Sequence, residues 1–210
     1  MAQDVSDGIA GVPIMIAIRL LDEDCNPVTD ASVDIWHTLP KGIYSGEAAN
    51  LAFCTDNDAD AIAHEYFRGV QYSDANGVVR FFSCYPGWYS SRTVHVHVTV
   101  RRGSGDYTGQ TEFLTTQLIF DDTISTDIYA KVAAYARTSS RDTFNTNDSV
   151  FSASNYQDYL FDMTRMADGS LVCAKTLILR KSTSGAVCSV GGSGGPGDGG
   201  MGPPPLPDAG

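Results

Sequence analysis

Two histidines and a tyrosine lie in a short segment where their side chains could bind a metal ion. His95 and His97 alternate with valines, which is the period of a β-strand, so both imidazoles project from one face. Neutral imidazole is a ligand for iron, copper, zinc and nickel. Tyr89 follows a Pro-Gly turn six residues before His95, and Arg92 lies between them. The segment 86–98 therefore predicts metal chemistry beside a phenol and a guanidinium.

The His-x-His spacing also has an ordinary explanation. Two polar residues on a half-buried strand often face solvent or a hydrogen-bond partner, and spacing alone gives false matches. The residues that alternate with the histidines would fill the opposite, buried face of the strand, and they are Val94, Val96, Val98 and Val100. The choice between these interpretations depends on the rest of the chain.

The composition is that of one globular domain with an acidic surface. The chain has 210 residues, of which 42% are hydrophobic and 10% aromatic, and its net charge is −11. A domain of this length buries about two-thirds of its unfolded surface. The negative charge repels phosphate backbones, so we do not expect nucleic acid as a partner. No basic amphipathic segment indicates binding to a membrane surface.

The apolar runs are too short for a membrane helix, which needs about 20 residues. Residues 12–21 are apolar but contain Arg19, and they read as a first strand rather than a signal peptide. We expect either a cytoplasmic protein or one from which a leader was removed, and the localisation stays open.

Five scattered cysteines form no CxxC pair, so a zinc ribbon is not indicated. Buried or unreactive thiols are the simpler interpretation, although one disulfide stays open if the protein is exported. The cysteines are Cys25, Cys54, Cys84, Cys173 and Cys188.

Short alternating runs separated by turn residues predict an all-β fold. We expect an antiparallel β-sandwich core with long loops and at most one or two short helices. The segment 73–77 reads as the turn of a β-hairpin, the acidic segment 45–65 as a long loop, and only 127–136 as helical. The expected strands lie near 12–21, 33–36, 66–70, 78–83, 93–101, 111–120, 159–164 and 171–180.

The domain is predicted to span residues 1–185, followed by a disordered tail over 186–210. Residues 191–210 contain nine glycines and five prolines and have little apolar surface to bury.

Four motifs in one order resemble the intradiol ring-cleavage dioxygenases, which include catechol 1,2-dioxygenases and protocatechuate 3,4-dioxygenases. The resemblance covers roughly residues 10–180 and is closest to the short single-domain members of the family. The motifs are Gly42-Ile-Tyr44 after the strand 33–37, Arg68-Gly69 before the turn 73–77, Pro86-Gly-Trp-Tyr89, and Arg92-Thr-Val-His-Val-His97.

The resemblance implies a non-haem Fe(III) enzyme that uses O2 to cleave catechols between the two hydroxyl-bearing carbons. The products are muconate-type diacids, as in the catabolism of aromatic compounds. Arg92 matches an arginine beside the substrate, and Gln117 a glutamine near metal-bound solvent. Tyr89 matches the tyrosine that the substrate displaces. The four implied iron ligands are Tyr44, Tyr89, His95 and His97.

The implied ligands suit a trivalent ion. Two phenolates and one hydroxide balance three positive charges, and a catechol dianion can replace Tyr89 and the hydroxide without changing that balance. Such an exchange avoids unbalanced charge in a low-dielectric pocket, where it would be most unfavourable.

Two other classes of protein are also considered. A non-catalytic β-sandwich binding module, transthyretin-like or carbohydrate-binding, would not need this set of side chains. A cupin would carry a glutamate shortly after the histidines, where this chain has Thr99-Val-Arg-Arg102.

The motifs leave the substrate and the oligomeric state open, and some residues near them have structural rather than catalytic interpretations. The natural catechol and the oligomeric state are not determined, although the acidic loop 45–65 favours a neutral catechol over an anionic one. Packing, turn or surface roles are expected for Trp36, His37, His64, Arg68 and Gly69.

Overall fold

The computed structural model describes residues 3–46, 55–151 and 153–184. In these ranges the chain forms two four-stranded sheets that pack against each other, so the predicted all-β sandwich is confirmed. The strands are β1 (Pro13–Asp22), β2 (Ser32–Trp36), β3 (Arg68–Tyr72), β4 (Val78–Cys84), β5 (His95–Arg102), β6 (Thr111–Ile119), β7 (Asp162–Arg165) and β8 (Leu171–Leu179).

The two sheets have different strand patterns. One has the order β4-β1-β8-β7, and the other has the order β3-β2-β5-β6. Neighbouring strands are antiparallel except for β1 and β8, which are parallel. The strands predicted near 159–164 and 171–180 correspond to β7 and β8, which pair antiparallel as a hairpin.

The hydrophobic core lies between the sheets. Alternate residues of β1 are buried against alternate residues of β5, as the period of two requires. Burying one such aliphatic side chain stabilises the fold by about 1.5–3 kcal/mol. The inward-facing side chains of these two strands include Ile14, Ile16, Ile18, Leu20, Val96, Val98 and Val100.

The turn at 73–77 is not a hairpin turn, which corrects the sequence prediction. β3 pairs with β2 in one sheet, whereas β4 pairs with β1 in the other, so the turn carries the chain between sheets. The turn itself is regular: the Asp74 side chain accepts hydrogen bonds from the amides of Asn76 and Val78. Local turn chemistry was visible in the sequence, but the partner strand was not.

The described helices are α1 (Ala59–Ala63) and α2 (Asp122–Lys131). The helix predicted at 127–136 therefore begins five residues earlier, because the Asp121 side chain caps it by accepting from the amides of Thr123 and Ile124. The predicted end at 136 is also wrong, since the helix ends at Lys131 and a 3₁₀ turn follows at Ala133–Tyr135. α1 lies inside the predicted loop 45–65.

Several sequence predictions fall partly or wholly outside the described residues. They include the tail at 186–210, Cys54, Cys188 and the part of the acidic loop at 47–54. The described cysteines, Cys25, Cys84 and Cys173, have free thiols. In the described ranges, no helix has both the length and the apolar character needed to cross a membrane.

Candidate metal centre

The two histidines project from one face of β5, as their spacing predicts. His95 is buried and His97 is half-buried, and their Nε2 atoms lie 3.2 Å apart. The valines that alternate with them are buried in the core on the other face. The strand therefore holds both imidazoles on a rigid backbone that the core anchors.

The two tyrosines reach the same point from two loops. The Tyr44 hydroxyl lies 3.1 Å from Nε2 of His95 and 3.1 Å from Nε2 of His97. The Tyr89 hydroxyl lies 3.3 Å from Nε2 of His95 and 3.5 Å from the Tyr44 hydroxyl. All four predicted ligand side chains therefore converge, although Tyr44 and Tyr89 are separated by 45 positions in the chain.

Two glycines allow the tyrosine loops to interlock. Gly42 has a φ of +79°, and a Cβ there would lie 1.8 Å from the carbonyl oxygen of Trp88. A Cβ at Gly87 would lie 2.3 Å from the carbonyl oxygen of Pro40. The Leu39 carbonyl accepts hydrogen bonds from the amides of both glycines, at 2.8 and 3.1 Å. The Gly-x-Tyr spacing in each loop thus places the tyrosine two residues after a backbone contact that only glycine permits.

The hydrogen bond that Nδ1 of His95 makes determines which ring nitrogen carries the proton. Its Nδ1 lies 2.7 Å from the carbonyl oxygen of Thr93, which can only accept, so Nδ1 carries the proton. Burial lowers the pKa of His95 well below its usual value, and the charge of Arg92 acts in the same direction. The ring is therefore neutral and presents a bare Nε2 lone pair to the cluster.

His97 is neutral for a similar reason. Burial is the main cause that lowers the pKa of His97 well below its usual value, and His95, Arg92 and Arg68 add to it. Trp36 lies opposite His97 in the β2–β5 pairing, and the two rings stack. Neutral imidazoles are the form that binds a metal.

The donor atoms fit a metal ion. Ligands at about 2.0–2.1 Å from a common centre lie roughly 2.9–3.4 Å from one another in octahedral or tetrahedral coordination. Five distances of 3.1 to 3.5 Å join the four donor atoms of this cluster. Within the described ranges, no group of three or more His, Cys, Asp and Glu side chains could hold a metal. A site here depends on the phenols as well as the imidazoles.

Arg92 and Gln117 lie beside the cluster. Arg92 is buried, and its Nη2 donates a hydrogen bond to Oε1 of Gln117. Gln117 stands opposite His97 in the β5–β6 pairing, which explains its place near the histidines. The Nε of Arg92 donates to Asp148 at 3.1 Å, and this ion pair is shielded from solvent. Asp148 was missed in the sequence because no motif surrounds it and it lies 56 positions from Arg92.

The other histidines lie outside this donor set. His37 is buried, with Nδ1 2.9 Å from the Thr38 carbonyl and Nε2 2.8 Å from the Ser83 hydroxyl. Burial lowers its pKa to about 4. His64 is exposed beside Asp60.

Arg68 supports the loop that follows Tyr44. Its Nε and Nη2 donate to the carbonyl oxygen of Ser45 at 2.9 and 2.6 Å. The Arg-Gly motif therefore positions backbone in the structure, as expected.

The comparison with family models identifies a dioxygenase family, whose model matches residues 1–164. A search of curated proteins gave no match. Among solved structures, an intradiol ring-cleavage dioxygenase from Tetranychus urticae aligns with a TM-score of 0.70 and 24% identity, over 86% of each chain.

Two bacterial structures share the same fold. The dioxygenase domain of a dioxygenase–carbohydrate-binding fusion from Streptomyces sp. SirexAA-E aligns with a TM-score of 0.57 and 22% identity, over 85% of this chain and 87% of that one. Catechol 1,2-dioxygenase from Pseudomonas arvilla C-1 aligns with a TM-score of 0.58 and 18% identity, over 86% of this chain and 56% of that one. The family match spans most of the sequence, and the structures share its fold: the chain belongs to the dioxygenase family of the intradiol ring-cleavage enzymes.

Proposed function

We propose that this protein is a non-haem ferric dioxygenase that cleaves catechol-type rings between the two hydroxyl-bearing carbons. One catechol and one O2 give one muconate-type diacid, so both oxygen atoms enter the product. The observation that carries this proposal is the convergence of two phenol oxygens and two imidazole nitrogens at one point. Membership of the dioxygenase family supports the reaction class.

The proposed ligands are Tyr44, Tyr89, His95 and His97. When bound, Fe(III) supplies a strongly Lewis-acidic centre that favours the doubly deprotonated form of a catechol. Phenol oxygens favour a hard trivalent ion over zinc, whose usual ligands are nitrogen and sulfur. The neutral imidazoles and two phenolates leave one further negative charge to be supplied by solvent or substrate.

The two tyrosines differ in their surroundings, which supports different roles. Tyr44 is buried and lies 3.1 Å from both histidines. Tyr89 is half-buried and lies farther from His95, at 3.3 Å. We assign Tyr89 as the base that takes one proton from a catechol hydroxyl, and Tyr44 as the permanent ligand.

Arg92 would stabilise negative charge that develops as the ring is cleaved. The guanidinium cannot lose its proton in a protein, so it stays charged even when it is buried. Its bond to Gln117 fixes one edge of the group beside the histidines. Gln117 would therefore act mainly through Arg92, in agreement with its position on the neighbouring strand.

The alternative of a non-catalytic binding module has less support. A binding module has no need for a converging cluster of two phenols from two loops and two imidazoles from one strand. The two proposals differ in a property that is easy to measure, because a phenolate bound to Fe(III) absorbs visible light whereas a binding module or a zinc protein is colourless.

The test combines metal analysis, absorption and oxygen uptake. The purified protein should contain iron, show a visible charge-transfer band, and consume one O2 per catechol. With ¹⁸O2, mass spectrometry should find two labelled atoms in the product. Catechol, hydroxyquinol and protocatechuate are compared to identify the preferred ring, with His97→Ala as the control that lacks one ligand. A colourless protein that consumes no oxygen with any of them would disprove the proposal.

A further inference from the structure

Asp148 is a buried carboxylate that accepts hydrogen bonds from the segment before β5 and from its own loop. Its Oδ2 accepts from Nε of Arg92 at 3.1 Å and from the amide of Thr93 at 2.7 Å. Its Oδ1 accepts from the amides of Val150 and Phe151, at 2.7 and 3.1 Å. The side chain is 0% exposed, so this carboxylate is fixed by four donors and has no contact with solvent.

Both residues that Asp148 holds on the β5 side lead to the candidate metal centre. Arg92 continues through Nη2 to Gln117. The Thr93 carbonyl oxygen accepts a hydrogen bond from Nδ1 of His95, at 2.7 Å. One carboxylate therefore restrains the guanidinium beside the cluster and the residue that fixes the tautomer and ring orientation of a candidate ligand.

We propose that Asp148 is a positioning residue that aims Arg92 at the substrate and, through Thr93, orients His95 toward the metal. The inference rests on the proposed function. Its physical basis is that a buried guanidinium needs a paired carboxylate, and that a hydrogen bond to the second nitrogen of a ligating histidine tunes and orients it. Asp148 touches neither substrate nor metal in this scheme.

Replacing Asp148 by asparagine tests its hydrogen bonds while leaving the size of the side chain almost unchanged. An asparagine has nearly the same volume but only one oxygen, so it can accept from the Arg92 side or from the loop amides. In either orientation, the side-chain NH2 of the asparagine, which can only donate, faces two other donors. Asp148→Asn should therefore loosen Arg92 or the loop that carries residue 148.

The test measures kcat, KM, iron content and the visible band for Asp148→Asn. We expect kcat to fall by roughly 10²-fold, because small misplacements of positioning groups have effects of that size. KM should change by less than about threefold, iron should still be bound, and the charge-transfer band should shift because His95 is less well oriented. The double variant Asp148→Asn/Arg92→Lys should be no slower than the slower single variant, since both changes disrupt one unit.

The matched control is Asn147→Ala. Asn147 is adjacent, and its Oδ1 accepts the amide of Phe144 inside the same loop. This control should keep the wild-type kcat and band if only the contacts of Asp148 matter. An Asp148→Asn enzyme with wild-type kcat and band, or a loss that Asn147→Ala reproduces, would overturn the inference.

A second variant keeps the test decisive if Asp148→Asn does not fold. Asp148→Glu retains the charge but displaces it by one methylene, so kcat should fall at normal iron content. A wild-type kcat in this variant would overturn the positioning role. Failure of the proposed function itself is recognised separately, because then the wild-type protein consumes no oxygen with any catechol.

Discussion

Trp36 lies flat against His97, with their ring centroids 4.6 Å apart and their planes inclined by only 3°. The two residues face each other across the antiparallel pair β2–β5, on the face of the sheet that carries the candidate metal centre. The indole is buried and covers one side of the imidazole. Stacking therefore restricts rotation of a proposed ligand whose Nε2 lies 3.1 Å from the Tyr44 hydroxyl.

The first prediction concerns this stacking. Trp36→Ala removes the surface that fixes the plane of His97, so iron affinity should fall by about 10- to 100-fold, the range found for groups that orient metal ligands. Trp36→Phe keeps a flat ring and should lose less. Iron affinity is measured by competition with a chelator. Equal affinity in wild type and Trp36→Ala would contradict the orienting role.

The second prediction tests the histidines directly. His95→Ala and His97→Ala should each lose iron and activity, because each removes one of four proposed protein ligands. The strand should persist, since its buried valine face is unchanged. Circular dichroism checks the fold, and elemental analysis measures the iron. Full iron occupancy in either variant would disprove the assignment of that histidine.

The third prediction separates the tyrosines. Tyr89→Phe should still bind ferric iron and keep a shifted visible band from Tyr44, but turnover should fall sharply because the proposed base is absent. Tyr44→Phe should hold ferric iron poorly. Spectra are recorded with catechol added without oxygen. The roles are reversed if the band that survives substrate binding depends on Tyr89 rather than on Tyr44.

The fourth prediction concerns the interlocked loops. Gly42→Ala would place a methyl group against the Trp88 carbonyl and also strain a positive φ. We expect a loss of about 2–4 kcal/mol in the free energy of unfolding, with lower iron content because the tyrosine loops must separate. Gly8→Ala is the matched control: its φ is +76°, and a Cβ there meets nothing within 4 Å. It should show the backbone strain alone, so equal losses in both variants would show that the loop contact is unimportant.

The fifth prediction is a pH dependence of stability due to Asp34. Burial raises its pKa to about 6, although the charges of Arg101 and Arg68 oppose the change. Because the pKa in the folded state exceeds the ordinary value of 3.8, the folded state binds this proton more tightly. The stabilisation is complete below about pH 4 and is lost as the pH rises through 6, by on the order of 2–3 kcal/mol.

The comparison with Asp34→Asn isolates this effect. The free energy of unfolding of wild type minus that of the variant should decrease between about pH 4 and pH 7, because other titrating groups cancel in the difference. Urea unfolding at a series of pH values measures both proteins. A difference that does not change with pH would mean that Asp34 titrates near its ordinary value.

The face on which the two histidines lie could be predicted because its signal is local, whereas Tyr44 and Tyr89 were named as candidate ligands only through the resemblance to the intradiol dioxygenases. The spacing of His95 and His97 places both on one face of any strand, whatever that strand pairs with. The Gly-x-Tyr pattern at Gly42 and Gly87 marks backbone that approaches another segment closely. The β-sandwich class follows from the same short-range patterns, since alternation and turn residues depend only on near neighbours.

Long-range pairing could not be predicted in the same way. The turn at 73–77 has the local chemistry of a hairpin, yet it joins strands of different sheets, because strand partners are chosen by burial across the whole sandwich. The start of α2 was missed because its cap, Asp121, lies outside the apolar stripe that was used to locate the helix.

The sequence by itself thus determined the face on which the histidines lie and the fold class, while the family resemblance supplied the tyrosines of the proposed ligand set. Only the tertiary structure brought the hydroxyl groups of Tyr44 and Tyr89 to 3.5 Å from each other and paired Asp148 with Arg92. These contacts join segments about 50 positions apart, and no local pattern encodes them. They form because the core aligns β2 with β5 and because buried charges and amides must find partners wherever the chain supplies them.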